Sequence, residues 1–360
     1  MIRAVKISLK FTTARKRAAL AAVLRESRAA TNFYLDSLWT EKGALDAKTL
    51  NRYVSGSLGY RQKSDALAMA LETIIATKKA AKAIGRPCGK PRLRGAFRVS
   101  SLNAKVERFR KNGFDFVVKL SGLVRGKPIA IPVKSHKRLA YWLSKLGAVL
   151  KNGCVLHESY IALYVEVPDA PERVIGTDLG IDTGYRKLIA TSDGKFLGIA
   201  MLETCAAVRR KMPGGKGKRR AQAARRDFIN LMVKKLPWPL LRMIAVEDLT
   251  GLKLRTQQKG KSSKNSRKTM APWTYRQVLT RIEQLAQENR VRLVYVDPRN
   301  TSRRCPGCRL VAKENRVAEK FRCVRCNYTS DADTVGAVNI LAKATGNWQE
   351  EFMVPASSEV

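Results

Sequence analysis

The run CPGCRLVAKENRVAEKFRCVRC, residues 305–326, constrains this chain more than any other stretch of it. Cys305 and Cys308 form one C-x2-C pair, Cys323 and Cys326 form a second, and fourteen residues lie between the pairs. Two such knuckles bring four thiolates into a tetrahedral shell for zinc, with the basic stretch between them as a hairpin; this is the spacing of a zinc ribbon. Two disulfides or four unrelated buried thiols are the alternatives, and neither calls for this spacing. Four sulfurs leave no position open for water or substrate, so the ion is expected to brace a fold. Any chemistry must be carried by other residues.

Charge then narrows the class of partner. Seventy Lys and Arg against 29 Asp and Glu give a formal net charge of +41 over 360 residues. A chain with that excess repels itself unless a polyanion neutralises it. The sequence shows no apolar stretch of spanning length, no lipidation signal and no signal-peptide core, so nucleic acid is the expected polyanion and a membrane is not. Because the excess is spread along most of the chain, extensive phosphate contact and a steep salt dependence are expected. Seven cysteines without an export signal point to a reducing cytoplasm. Cys88, Cys154 and Cys205 then serve as small apolar residues.

Hydrophobic periodicity divides the chain. Residues 2–10 alternate as one short strand, and residues 13–41 and 60–84 carry apolar positions every three or four places, so a helical insertion interrupts a β domain. Strand patterns return at 99–106, 114–120, 129–133, 148–150 and 160–167, with a helix at 136–146. These make a small antiparallel barrel or sheet. From about Arg173 the pattern becomes an α/β alternation: a strand VIGTD, a hairpin KLIATSDGKFLG, helical sequence over 203–236, a strand MIAVED, a basic loop LRTQQKGKSSKNSRKT, a helix over 273–289, a strand RLVYVD, the ribbon and a last helix over 334–344. The cluster VRRKMPGGKGKRRAQAARR holds nine basic residues and no acidic one. A solvated helix face of that kind would repel itself, so Arg209, Arg210, Lys216, Lys218, Arg219, Arg220, Arg225 and Arg226 are read as a phosphate-facing surface.

Histidine is limited to His136 and His157, which leaves almost no material for histidine-dependent mechanisms. Carboxylates remain. Asp178 closes the strand VIGTD, and Glu247 closes MIAVE on the same face as Ala245. Asp333 stands at the start of the last helix, and Asp331, two residues earlier, is suited to cap it. Any one of these acids could be a cap or a surface ion pair. Together, drawn from two strand ends and a helix start, they make an all-oxygen cage for one or two Mg2+ ions.

Residues 176–194 (GTDLGIDTGYRKLIATSDG), 244–253 (IAVEDLTGLK) and the segment from NTSRRCPGC to CVRCNYTSDADTVGAVNIL resemble the split RuvC nuclease of the TnpB proteins and the compact type V CRISPR effectors. GKPRLRG, residues 89–95, resembles that family's return into its wedge-like β domain. The resemblance is close in the second half of the chain and loose in the first. It implies a multidomain protein: a wedge-like β-barrel over 1–11 and 90–170, a helical recognition insertion over 12–89, an α/β RNase H-like (RuvC) domain over 171–300 and 331–348, an inserted ribbon over 301–330, and a tail over 349–360. It places the catalytic acids on Asp178, Glu247 and Asp333, and zinc on the four cysteines. It further implies a guide RNA, a target DNA read beside a short motif, and Mg2+-dependent cleavage.

Three departures stand out. The run after Asp178 is longer than the family's usual turn. Val335 and Gly336 replace Asn-Ala, which is expected to loosen the helix behind Asp333. Arg309 and Asn327 stand where glycine often follows a knuckle, which is expected to distort the first one. The reading is therefore an RNA-guided DNA endonuclease, with pairing to the guide supplying sequence specificity. Its rivals are a guided repressor that no longer cuts, a guide-free transposase or resolvase on the same core, and a plain zinc-ribbon binder, which leaves the acids unexplained. Trp273, Tyr275, Phe321 and Tyr328 are read either as base-stacking rings or as core. One copy or two per RNA is left open.

Overall fold

The computed structural model describes residues 1–40, 47–84, 87–249 and 275–352. The chain separates into two compact units, Met1–Asp169 and Ala170–Val360.

The first unit comprises β1 (Ile2–Ser8), α1 (Ala14–Thr40), α2 (Ala47–Tyr53), α3 (Tyr60–Ile84), β2 (Phe97–Val99), β3 (Ala104–Lys111), β4 (Phe114–Leu120), β5 (Ile129–Val133), α4 (Lys137–Leu143), β6 (Val149–Leu156) and β7 (Tyr160–Glu166). Its strands form two antiparallel sheets, ordered β1-β7-β6-β2 and β3-β4-β5, in place of one closed barrel. The stretch expected as a single strand over 99–106 turns a corner between them. Asp65 of α3 fixes that corner: one carboxylate oxygen accepts from the Ser100 backbone N–H at 3.0 Å and from the Asn103 amide at 2.8 Å. Val5, Leu24, Leu120, Ile131 and Leu163 bury a core shared by both sheets and the long helices. The helix α2, too short to show a period, was not foreseen.

The second unit comprises β8 (Thr177–Asp182), β9 (Ile189–Thr191), β10 (Phe196–Leu197), α5 (Met201–Arg209), α6 (Lys216–Lys234), β11 (Leu241–Glu247), α7 (Tyr275–Asn289), β12 (Arg292–Val296), β13 (Leu310–Val311), β14 (Arg316–Val317), β15 (Lys320–Arg322), β16 (Thr329–Asp331), α8 (Ala332–Ala344) and β17 (Glu351–Phe352). The main sheet runs β10-β9-β8-β11-β12. Strands β8, β11 and β12 are mutually parallel, and β9 and β10 return antiparallel. Ile244, Ala245 and Val246 are fully buried, as a central parallel strand covered on both faces requires. On one face Leu179, Ile181 and Val246 pack with Cys205, Ile229 and Ile282 of α5, α6 and α7. On the other, Ala245 and Val296 pack with Ile340 of α8.

Helix α8 lies unusually close to β8. A Cβ on Gly180 would come within 2.1 Å of the Ala337 carbonyl oxygen, so only glycine lets this helix reach the sheet. The ribbon sheet β14-β15-β16 ends at Asp331 and runs directly into α8. Residues 349–352, expected as tail, contribute β17, which pairs with β13 of the ribbon. Arg325 donates to Glu351 at 2.7 Å, and the Trp348 ring lies between Arg304 at 4.7 Å and Lys343 at 4.2 Å. Among the described residues no helix is long and apolar enough to cross a membrane. The basic loop at 254–269 and Trp273 lie outside the described residues.

Candidate active site

Parallel pairing of β8 with β11 sets Ile181 beside Val246, so the next residues, Asp182 and Glu247, end adjacent strands side by side. Asp333, in the first turn of α8, joins them from above the sheet. These three acids, with Lys187, Thr301 and Arg316, line a cavity of about 490 Å3.

Asp178 is not part of it. The strand expected to end at Asp178 continues to Asp182, and the apolar residues taken as its start, Val174 and Ile175, are 81% and 86% exposed. Four residues of strand put Asp178 about 13 Å back from the cavity end. Its carboxylate is occupied by Arg242, whose Nε donates to Oδ1 at 2.9 Å and whose second nitrogen donates to Oδ2. The structure thus brings Glu247 and Asp333 together with Asp182. The signal was present: DLG at 178–180 and DTG at 182–184 repeat the same pattern on the same face of one strand.

Burial dominates the electrostatics. The Asp182 carboxyl is pushed up to about 8, first by loss of solvent and then by the charges of Glu247 and Asp333, with Arg316 opposing. Glu247 is raised for the same first reason, while the Thr301 hydroxyl, Lys343 and Arg316 hold it down. That hydroxyl donates to Glu247 Oε1 at 2.6 Å. Arg316, carried by the ribbon, donates to Asp333 Oδ1 at 3.0 Å. Asp331 caps α8 as expected, accepting from the N–H groups of Asp333 at 3.0 Å and Thr334 at 3.3 Å.

Two of the departures from the family pattern have packing roles. A Cβ on Gly336 would lie 2.7 Å from Asp182 Oδ2, so glycine makes room for the buried carboxylate. Val335 is fully buried with Phe321, Leu310 and the ribbon cysteines. The expected loosening of α8 is therefore replaced by closer contact. The two knuckles also match. Arg309 and Asn327 take φ of 65° and 56°, and their N–H groups donate to the carbonyls of Cys305 and Cys323, each at 3.0 Å. The first knuckle is not distorted.

The sulfurs of Cys305, Cys308, Cys323 and Cys326 all lie within 4.8 Å of one another, a cluster that could hold a metal such as zinc. Contacts of 3.6 Å for Cys305 with Cys326 and 3.4 Å for Cys308 with Cys323 are far longer than a disulfide. Among the described residues no set of carboxylates converges so closely. The acids reach their cavity from two neighbouring strand ends and a helix start.

The basic cluster divides. Arg209, Arg210, Lys216, Arg219, Arg220 and Arg226 are exposed and Lys218 is half-buried. Arg225 turns inward, 8% exposed, and burial lowers its pKa, so it is corrected from surface contact to interior residue. Phe321 is likewise core, 1% exposed, and Tyr328 meets it edge-on at 6.2 Å. Tyr275 packs against the core of the second unit.

Comparisons with known proteins find similarity in sequence and in fold. A family model described as Cas12f1-like, TNB domain, matches residues 275–340. A TnpB-like protein of Methanocaldococcus jannaschii is 30% identical over 135 residues, 36% of this chain and 45% of that protein. The putative RNA-guided DNA endonuclease InsQ of Escherichia coli K12 is 29% identical over 234 residues, 55% of this chain and 58% of that protein. The chain thus spans about half the length of these curated relatives. The cryo-EM structure of a Cas12f1-sgRNA-target DNA complex shares the fold, with a TM-score of 0.55 at 16% identity, covering 90% of this chain and 82% of that one. Local motif, extended sequence match and fold thus make the chain similar to the TnpB-like proteins and the compact Cas12f effectors.

Proposed function

We propose that this chain is an RNA-guided DNA endonuclease that hydrolyses phosphodiesters in the cavity of Asp182, Glu247 and Asp333. The observation that carries the reading is the meeting of these acids at one end of a five-stranded sheet ordered β10-β9-β8-β11-β12. That order supports an RNase H-like (RuvC) core over 171–300 and 331–348, with a zinc ribbon over 301–330 inserted before its last helix. The first unit, with its long helices inserted after β1, suits the wedge-like domain of 1–11 and 90–170 and the recognition insertion of 12–89.

The donor set fits a hard divalent cation. Glu247 and Asp333 raise the cost of charging the buried Asp182, so the three acids have no reason to share a cavity unless positive charge joins them. Their looser convergence than that of the cysteines suits two Mg2+ ions better than one tight cage. Bound there, Mg2+ supplies an activated water and neutralises the oxygens of an in-line displacement. Asp182 and Glu247 are held at rigid strand ends, and Thr301 fixes the rotamer of Glu247. Arg316 and Lys187 place positive charge beside Asp333, which offsets the repulsion between the acids and an incoming phosphate. The four cysteines hold structural zinc. The exposed basic residues from Arg209 to Arg226, Arg225 excepted, neutralise nucleic-acid backbone, and the guide RNA supplies sequence by pairing.

The test is purification from cells that carry the flanking DNA, sequencing of the RNA that follows the protein, and plasmid cleavage with Mg2+ beside an Asp182→Ala control. A discrete RNA whose variable end directs acid-dependent cutting is expected. Binding without cutting would favour a repressor, and no discrete RNA would return the case to a transposase or resolvase.

The buried carboxylates also make stability depend on pH. An unfolded Asp ionises near 4, whereas Asp182 in the fold holds its proton to about 8. Between those values the native state binds more protons than the unfolded chain, so stability without metal falls as pH rises across that window. With zinc loaded and no Mg2+ added, the unfolding temperature is expected to move down across this range, less so for Asp182→Asn. Mg2+ should raise the unfolding temperature most at the alkaline end. A metal effect that is flat with pH would contradict the assignment.

A further inference from the structure

Asp331 and Asp333 stand two residues apart at the head of α8, and something must decide which of them faces the cavity. Lys187 is placed to do it. It comes from the short loop that leaves Asp182, a loop closed by a hydrogen bond from the Gly184 N–H to the Leu188 carbonyl at 3.3 Å. The Lys187 ammonium donates to Asp331 Oδ2 at 2.5 Å and lies 3.6 Å from Asp333 Oδ2. Its side chain is only 15% exposed, and the ammonium sits 4.2 Å from the centre of the Phe196 ring. A cation so enclosed has no solvent-facing position to retreat to without losing all three contacts. The other oxygen of Asp331 is committed to the helix cap.

We infer that Lys187 is a positioning residue that selects Asp333 as the third metal-binding acid: it binds Asp331 as an ion pair and sets, by its own charge, how tightly the cavity holds a divalent cation. The inference rests on the reading of the cavity as a metal site. While the ion pair holds, Asp331 is withdrawn, and Asp333, held through Oδ1 by Arg316, is the acid left facing the cavity. The same ammonium also repels that cation across a few ångströms of poorly solvated space. Removing the charge therefore tightens metal binding while releasing Asp331 to compete as a ligand. Removing the charge of Asp331 does the reverse, because the freed ammonium falls onto Asp333.

The experiment is a Mg2+ titration of the thermal unfolding of the zinc-loaded full chain, with Ca2+ as a second probe. Lys187→Met is expected to move the Mg2+ midpoint to roughly tenfold lower concentration. Asp331→Asn, which keeps a good helix cap, should move it higher. Lys187→Arg should stay near the wild-type midpoint. An unchanged or raised midpoint in Lys187→Met, or a shift of both variants in one direction, would overturn the inference while leaving the metal site standing. If Lys187→Met gives no cooperative unfolding, Asp331→Asn decides alone, and an unchanged or lowered midpoint there overturns it. A wild-type chain indifferent to both cations would remove the metal site itself, and the role of Lys187 with it.

Discussion

Asp182→Ala is expected to abolish metal-dependent DNA cleavage, with a loss on the order of a thousandfold or more, while Asp178→Ala keeps most of the activity. Charge stabilisation by bound metal contributes several kcal/mol to a hydrolytic transition state, and each ~1.4 kcal/mol is a factor of ten in rate. Asp182 is buried beside Glu247 and Asp333 at the end of β8, so its loss removes a carboxylate of the proposed metal site. Asp178 does a different job. Its pairing with Arg242 joins β8 to β11 at the far end of the sheet, and the Arg242 side chain is 47% exposed. Exposed pairs of this kind contribute little to stability, so Asp178→Ala should lower the unfolding temperature slightly and leave the rate near wild type. Cleavage assays on the two variants, with RNA content and folding checked in parallel, separate the roles. Cutting by Asp182→Ala at the wild-type rate would remove the proposed site.

The second large effect is expected from the ribbon. Cys305 and Cys323 are fully buried and share a small core with Leu310, Phe321, Ala332 and Val335, the last two on α8. A metal held by the four cysteines would therefore hold the same packing that seats the first turn of the helix carrying Asp333. Structural zinc of this type is worth on the order of 10 kcal/mol in zinc-finger peptides, more than so small a core could supply by itself. Cys305→Ser should lower the zinc content below one ion per chain, release Arg316 from Asp333, and reduce cleavage by about a hundredfold or more, with added Mg2+ unable to restore it. Metal analysis, unfolding temperature and cleavage on the same preparation provide the check. A variant that has lost its zinc but still cuts normally would show that the ribbon does not position the site.

Local signals in the sequence were reliable where one face of an element is buried. The expected strands over 114–120 and 129–133 and the helix over 60–84 coincide with β4, β5 and α3, because period two or 3.6 there follows directly from a core on one side. The stretch 99–106 was read as one strand because alternation continues through it, and no local property reveals that Asp65, from a helix far upstream, turns the backbone between sheets. The cysteines and Glu247 were legible from spacing and from position at a strand end. Asp182 was missed because two D-x-G patterns lie in one strand, and the exposed Val174 and Ile175 imitated its beginning. Only pairing with β11 fixes where β8 ends. Lys187 and Arg316 left no signal in so basic a chain, since the few cations that meet carboxylates look like the many that do not. The strand β17 was equally hidden, being two residues long and defined by its partner.

Trp348 gives the contact between the ribbon and α8 an optical signature. Its indole is held between Arg304, which immediately precedes the first knuckle, and Lys343, near the far end of α8, with Arg304 Nε donating to the neighbouring Gln349 carbonyl. An indole flanked by two cations emits differently from one in water, and here the flanking groups belong to the two elements whose seating the proposed chemistry depends on. In a variant whose other four tryptophans are replaced by phenylalanine, Trp348 is a fluorescent gauge of that seating, readable during metal loading or nucleic-acid binding without any attached dye.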